Sequence, residues 1–131
     1  MQREALRIID ANYNRAREGI RVCEDILRFA LNKTELALEL KKSRHRLSVL
    51  IESLDRDTLL KSRDTLMDKA KFRYSSGRKS DYKNILSFNF KRTTEALRVL
   101  EEIVQMLKPD LKSSFMRLRF KIYKIESEAV L

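Results

Sequence analysis

Asn12, Arg15 and Glu18 recur 77 positions later as Asn89, Arg92 and Glu95, an amide, a guanidinium and a carboxylate repeated at the same helical spacing. A guanidinium grips phosphate through a planar fork of donors. An amide can orient a ring or an oxygen, and a carboxylate can hold a divalent cation. The recurrence is not confined to these three residues. The stretch from Asn12 to Ile26 aligns without gaps with Asn89 to Ile103, and seven of the fifteen positions are identical. Roughly one identity is expected between unrelated segments, so this is an internal repeat. A fainter echo follows, in which Arg44-His45-Arg46-Leu47 lies over Arg119-Phe120-Lys121-Ile122 at an offset two residues shorter.

At about 100° per residue the apolar arc of the first repeated stretch centres near Asn12, and Arg15 falls roughly 60° away. Polar groups therefore stand where core is expected, with Glu18 and Glu95 at the margin. Two readings follow. The bland one is a duplicated structural network in which Arg15 pairs with a Glu of the other copy. The functional one is a pair of Asn-Arg clusters facing a central cleft that binds phosphate. Arg44 and Arg119 read as snorkelling arginines unless they turn toward the same cleft. His45 reads as a packing or edge histidine, and Lys41, Lys42 and Lys112 as solvated surface. Ser62-Arg63-Asp64-Thr65 is either a helix or turn feature, or a phosphate-binding guanidinium beside a metal-holding carboxylate.

Something must position these residues, and the composition says what. The chain has 131 residues, two glycines, one proline, 43% hydrophobic and 37% charged residues. Scarce Gly and Pro argue against a sheet with tight turns, and the expected class is all-α. Apolar residues at helical spacing predict one helix from about Leu6 to Leu31, broken by Asn32-Lys33-Thr34, and a second from about Glu35 to Leu54. A third is predicted from about Asp81 to Leu107, and Pro109 is placed to open a fourth. Residues 55 to 80 hold a weaker helical stretch, Thr58 to Lys71, and a basic polar run, Arg73 to Ser80, suited to a lid or binding loop. The expected organisation is a single helical domain over 1–131: repeat 1 at about 3–54, a connecting segment at about 55–80, and repeat 2 at about 81–131. Each hairpin would bury its apolar stripe against the other in a bundle with approximate twofold symmetry.

Several functional classes are excluded. Gly19 and Gly77 stand too far apart for any Gly-rich phosphate loop, so side chains or helix ends must hold a phosphate. One Cys and one His cannot make a Cys/His zinc site, and a lone thiol fits a reducing cytoplasm. No apolar run of membrane-spanning length is present. The net charge of +10 favours an anionic partner, either polymeric or small. A nucleic-acid-binding bundle would place its arginines on an exposed face. The composition also suits a helical enzyme gripping a small dianion, in the manner of helical chorismate mutases, and a noncatalytic interaction module. A homo-oligomer stays open.

The motif Arg7-Ile-Ile-Asp10-Ala-Asn12-Tyr-Asn14-Arg15-Ala-Arg17-Glu18-Gly19-Ile-Arg21-Val, with Glu24-Asp25, Arg28-Phe29, Arg44-His45-Arg46-Leu47, Arg63-Asp64-Thr65 and the echo from Asn89 to Glu102, resembles the small helical hydroxymethylpyrimidine phosphate kinase family of thiamin biosynthesis. That family occurs alone or as an N-terminal domain fused to thiamin phosphate synthase. The resemblance implies phosphoryl transfer from ATP, with Mg2+, to 4-amino-5-hydroxymethyl-2-methylpyrimidine phosphate. The partners it implies are thus small molecules, ATP and a phosphorylated pyrimidine, rather than nucleic acid or membrane. Arg15, Arg92 and Asp64 would then be catalytic, Asn12, Asn89, Arg44 and Arg63 would bind substrate or phosphate, and Glu18 and Glu95 would hold the metal.

Overall fold

The computed structural model describes residues 2–54 and 81–130. Candidate residues Arg63 and Asp64, the stretch 58–71 and the basic run 73–80 lie outside the described residues. The described residues form α1 (Gln2–Asp25), a π-helical turn (Ile26–Ala30), α2 (Thr34–Glu52), α3 (Tyr82–Val104) and α4 (Leu111–Val130). No strand occurs among them, and the fold they form is all-α.

The apolar stripes read from the sequence are the faces that meet. Ile9, Ala16, Ile20 and Leu27 join Leu40, Leu47 and Ile51, then Leu86, Phe90, Leu97 and Leu100, then Phe115, Ile122 and Ile125, in one core. Each large side chain buried in this way contributes about 1.5–3 kcal/mol. Helix α1 packs on both α2 and α3, while α4 packs on α3 and α2. The α1–α3 pair is antiparallel: Glu18 meets Arg92, and further along α1 the Cys23 thiol donates to the carbonyl of Leu86. Gly19 makes this approach close. A Cβ there would sit 2.3 Å from Thr93 Oγ1 and 3.1 Å from the Asn89 carbonyl oxygen. The α2–α4 pair is also antiparallel, pinned by Lys33 Nζ on the Ala129 carbonyl (2.8 Å) and by Lys121 on Glu39 (3.0 Å). That ammonium holds the Glu39 carboxyl below the usual carboxylate range.

The two hairpins end their first helices differently. In the first, Leu31 donates to the Ile26 carbonyl and Lys33 reaches back to that of Leu27, so the last turn is widened. Asn32 closes it at φ 55°, a left-handed conformation that Asn tolerates. In the second, Met106 and Leu107 donate three residues back, to Ile103 and Val104, and the turn is tight. Asp81 caps α3 by accepting from the Asn84 amide at 2.8 Å. Pro109 sits in the turn before α4, which begins two residues later at Leu111. No helix among the described residues is long and apolar enough to cross a membrane.

Candidate functional site

The repeated amides lie buried in matching positions. Asn12 Nδ2 donates to the Ile8 carbonyl at 2.9 Å and Asn89 Nδ2 to the Ile85 carbonyl at 2.8 Å, so each amide is seated on the preceding turn of its own helix. Asn14 likewise donates to the Asp10 backbone carbonyl and, at 3.4 Å, to the carboxylate of the buried Asp10. The arginines differ from the expectation of guanidinium groups inside the bundle. Arg15 and Arg92 are exposed, because a side chain at the margin of the arc is long enough to carry its charge into water. Arg15 Nη1 lies 3.5 Å from Asn12 Oδ1. Arg92 Nη2 lies 3.6 Å from Glu18 Oε2 across the α1–α3 seam, a loose and half-exposed pair. Glu95 is exposed as well. Among the described residues no group of three or more His, Cys, Asp or Glu side chains is placed to hold a metal ion.

Two bidentate ion pairs that the sequence reading missed stand in the described structure. Arg44 Nε donates to Glu24 Oε2 at 2.7 Å and its Nη2 to Oε1 at 3.2 Å. At the equivalent positions of the second hairpin, Arg119 Nε donates to Glu101 Oε2 and its Nη2 to Oε1 at 3.1 Å. The same atoms pair in the same fork. In each case the hydrogen bonds that the guanidinium donates to glutamate are the main reason that its pKa is raised above its ordinary value. The sequence did hold a signal: Glu24 recurs as Glu101 and Arg44 as Arg119, the partners being 20 and 18 residues apart along the chain.

The first fork borders a cleft of about 500 Å³ between α1, the widened turn and α2. Arg21, Arg28, Lys41 and Arg44 supply four cations to its wall, Glu24 and Asp25 two carboxylates, and Phe29, Ala37 and Leu38 apolar surface. Thr34, in the first turn of α2, completes it. Lys41 is therefore a cleft residue, which the sequence reading placed on the solvated surface. Of the predicted site residues that are described, Arg44 alone lines this cleft. Asn12, Arg15, Glu18, Asn89, Arg92 and Glu95 lie along α1 and α3 outside it. The volume is that of a small-molecule site.

Fold and cleft together define an all-α protein with an internally repeated ion-pair scaffold and a basic pocket of metabolite size. The chain belongs to the ThiD2 family, which it matches over residues 7–128. It is similar to thiamine-phosphate synthases of Nostoc punctiforme (36% identical over 129 residues, 97% of this chain and 36% of the relative) and Gloeobacter violaceus (38% over 126 residues, 95% and 36%). A thiamine-phosphate synthase of Rhodopirellula baltica is 36% identical over 123 residues, 92% of this chain and 33% of the relative. The chain thus spans about a third of the length of these relatives. No solved structure shows significant similarity to it.

Proposed function

We propose that this chain is an enzyme of thiamin biosynthesis that transfers a phosphoryl group from ATP to 4-amino-5-hydroxymethyl-2-methylpyrimidine phosphate, giving the diphosphate. The observation that carries the reading is the family membership over residues 7–128 together with relatives named thiamine-phosphate synthase. A diphosphate of this pyrimidine is the kind of activated partner that a synthase of thiamin phosphate consumes. The internal repeat supports the reading as well, since two similar arginine-bearing halves suit a reaction between two phosphorylated molecules.

The acceptor atom is an oxygen of the pyrimidine's phosphate. It forms a bond to the γ-phosphorus of ATP as the bond from that phosphorus to the β,γ-bridging oxygen breaks, and ADP leaves. A phosphate monoester is largely dianionic at neutral pH, its second pKa being about 6, so this nucleophile needs no general base. The protein's task is positioning and charge. In this proposal Arg15 and Arg92, aided by Arg63, grip the transferring phosphoryl group beside the α1–α3 seam, Arg44 stands at the cleft, and Asn12 and Asn89 keep the adjacent helix turns in place. Magnesium, when bound, neutralises and aligns the phosphates of ATP. The exposed Glu18 and Glu95, or Asp64, would hold it through one or two carboxylates. Work in a reducing cytoplasm fits the lone buried Cys23.

The test is ADP release with magnesium and ATP in three conditions: pyrimidine monophosphate, its unphosphorylated alcohol, and no acceptor. Release that depends on the monophosphate is expected. Equal rates in all three, or salt-resistant RNA binding without turnover, would overturn the reading.

A further inference from the structure

The two hairpins carry the same Arg-Glu fork, yet what surrounds each fork differs. Under the repeat alignment Arg28 of the first hairpin corresponds to Gln105 of the second, Phe29 to Met106, and Lys41 to Met116. A charge that the scaffold needs should appear in both copies. Arg28 and Lys41 do not, although the fork they flank does.

We infer that the cleft beside the Arg44–Glu24 fork is a binding site for a small phosphorylated molecule with a planar ring, its phosphate held by Arg21, Arg28 and Lys41 and its ring laid on Phe29 and Leu38. Glu24 and Arg44 neutralise one another, while Arg21, Arg28 and Lys41 form no ion pair with any described residue. The wall as a whole carries four cations against two carboxylates, an excess that matches a phosphate dianion. Phe29 is 69% exposed and Leu38 50%, so both present apolar surface at the cleft on which a ring can lie. The Arg28 guanidinium lies 4.9 Å from the Phe29 ring centroid, so one residue pair offers both a flat face and a charge. These two residues sit on the π-helical turn, a distortion that often marks functional sites and that the second hairpin lacks. A cleft of about 500 Å³ admits a metabolite and excludes a duplex.

The inference rests on the proposed reaction for the identity of its two natural candidates, the pyrimidine monophosphate and the adenine nucleotide. The experiment replaces Arg28→Gln and Lys41→Met together, which installs the side chains that the second hairpin already tolerates. A control with the same loss of charge, Arg117→Gln with Lys124→Met, alters exposed positions of α4. Titration calorimetry with the pyrimidine monophosphate, ADP and inorganic phosphate is run on the unaltered protein and both variants, with ADP release measured in parallel. Affinity for one of the two ring-bearing phosphates is expected to fall roughly tenfold or more in the cleft variant and stay unchanged in the control. The ligand that loses affinity identifies which source occupies the cleft. Inorganic phosphate should bind more weakly than either ring-bearing ligand. Unchanged binding in the cleft variant while the unaltered protein turns over would overturn this inference and leave the kinase standing. Cleft-dependent binding without any turnover would overturn the kinase and leave the cleft. Equal losses in both variants would assign the effect to net charge and overturn the site.

Discussion

The two Arg-Glu forks are the same device in two settings. The second is closed: the Arg119 and Glu101 side chains keep 11% and 2% of their surface, and the rings of Phe120 and Tyr123 lie 4.9 and 5.7 Å from the guanidinium. The first is open: Arg44 and Glu24 keep 22% and 11%, and a cleft begins beside the pair. Duplication is thus repetition in geometry but a division of labour in energy. One copy fastens helix to helix, and the other fastens a guanidinium at the edge of a pocket. A buried pair is costly to break and contributes little beyond a well-packed apolar contact, whereas one at a pocket wall fixes a charge where a ligand meets it.

The largest difference should come from breaking each fork. Glu101→Ala strands Arg119 in a closed setting and should cost about 3–5 kcal/mol. Glu24→Ala leaves Arg44 a route to the cleft water, and the loss should be smaller, about 1–2 kcal/mol. Denaturant unfolding of both variants measures the pair, and equal losses would erase the distinction between open and closed. A second asymmetry lies at the seam, where Gly19 of the first hairpin corresponds to Ala96 of the second. Gly19→Ala should destabilise by about 1–3 kcal/mol because the new methyl meets Thr93 Oγ1. Adding Thr93→Ala should recover much of that loss in a double-mutant cycle.

Cys23 corresponds to Leu100, and burial pushes its thiol up to about 12 from the ordinary 9.0. The sign follows from which state releases the proton first. Below pH 9 the thiol is neutral in both states and has no effect. Between 9 and 12 the unfolded chain loses the proton while the folded one keeps it, so stability falls as pH rises. Cys23→Ala should flatten that part of the stability curve relative to the unaltered protein, and native Cys23 should resist alkylation at about pH 8 until the chain unfolds. The smallest effect on stability belongs to the exposed seam. Arg92→Ala removes a loose pair with Glu18 and should change stability by less than about 1 kcal/mol. Arg15→Ala should do the same. If either is a phosphate clamp, turnover falls tenfold or more while the melting temperature hardly moves.

The helices were legible because their burial follows the 3.6-residue period: Ile9, Ala16, Ile20 and Leu27 lie in the core, as their spacing requires. The same period placed Asn12 and Asn89 correctly inside. It misled for Arg15 and Arg92, since an angle locates a Cβ and not the end of a long side chain that can turn to water. The forks were harder to see, because pairing Arg44 with Glu24 requires knowing how α2 folds back on α1. The widened turn at Ile26–Ala30 has no signature in a regular period, and Asn32 marked a break without revealing its form. The cleft was invisible for that reason: Arg28-Phe29 stands in the motif without a role and Lys41 reads as solvated surface until the turn and the hairpin bring them to one wall.

The most direct measurement is phosphorus NMR of the protein mixed with magnesium, ATP and the pyrimidine monophosphate. The monophosphate singlet should be replaced by the two coupled doublets of a new diphosphate as ADP accumulates in equal amount. ATP left intact, or ADP formed with inorganic phosphate while the monophosphate singlet persists, would contradict the kinase reading.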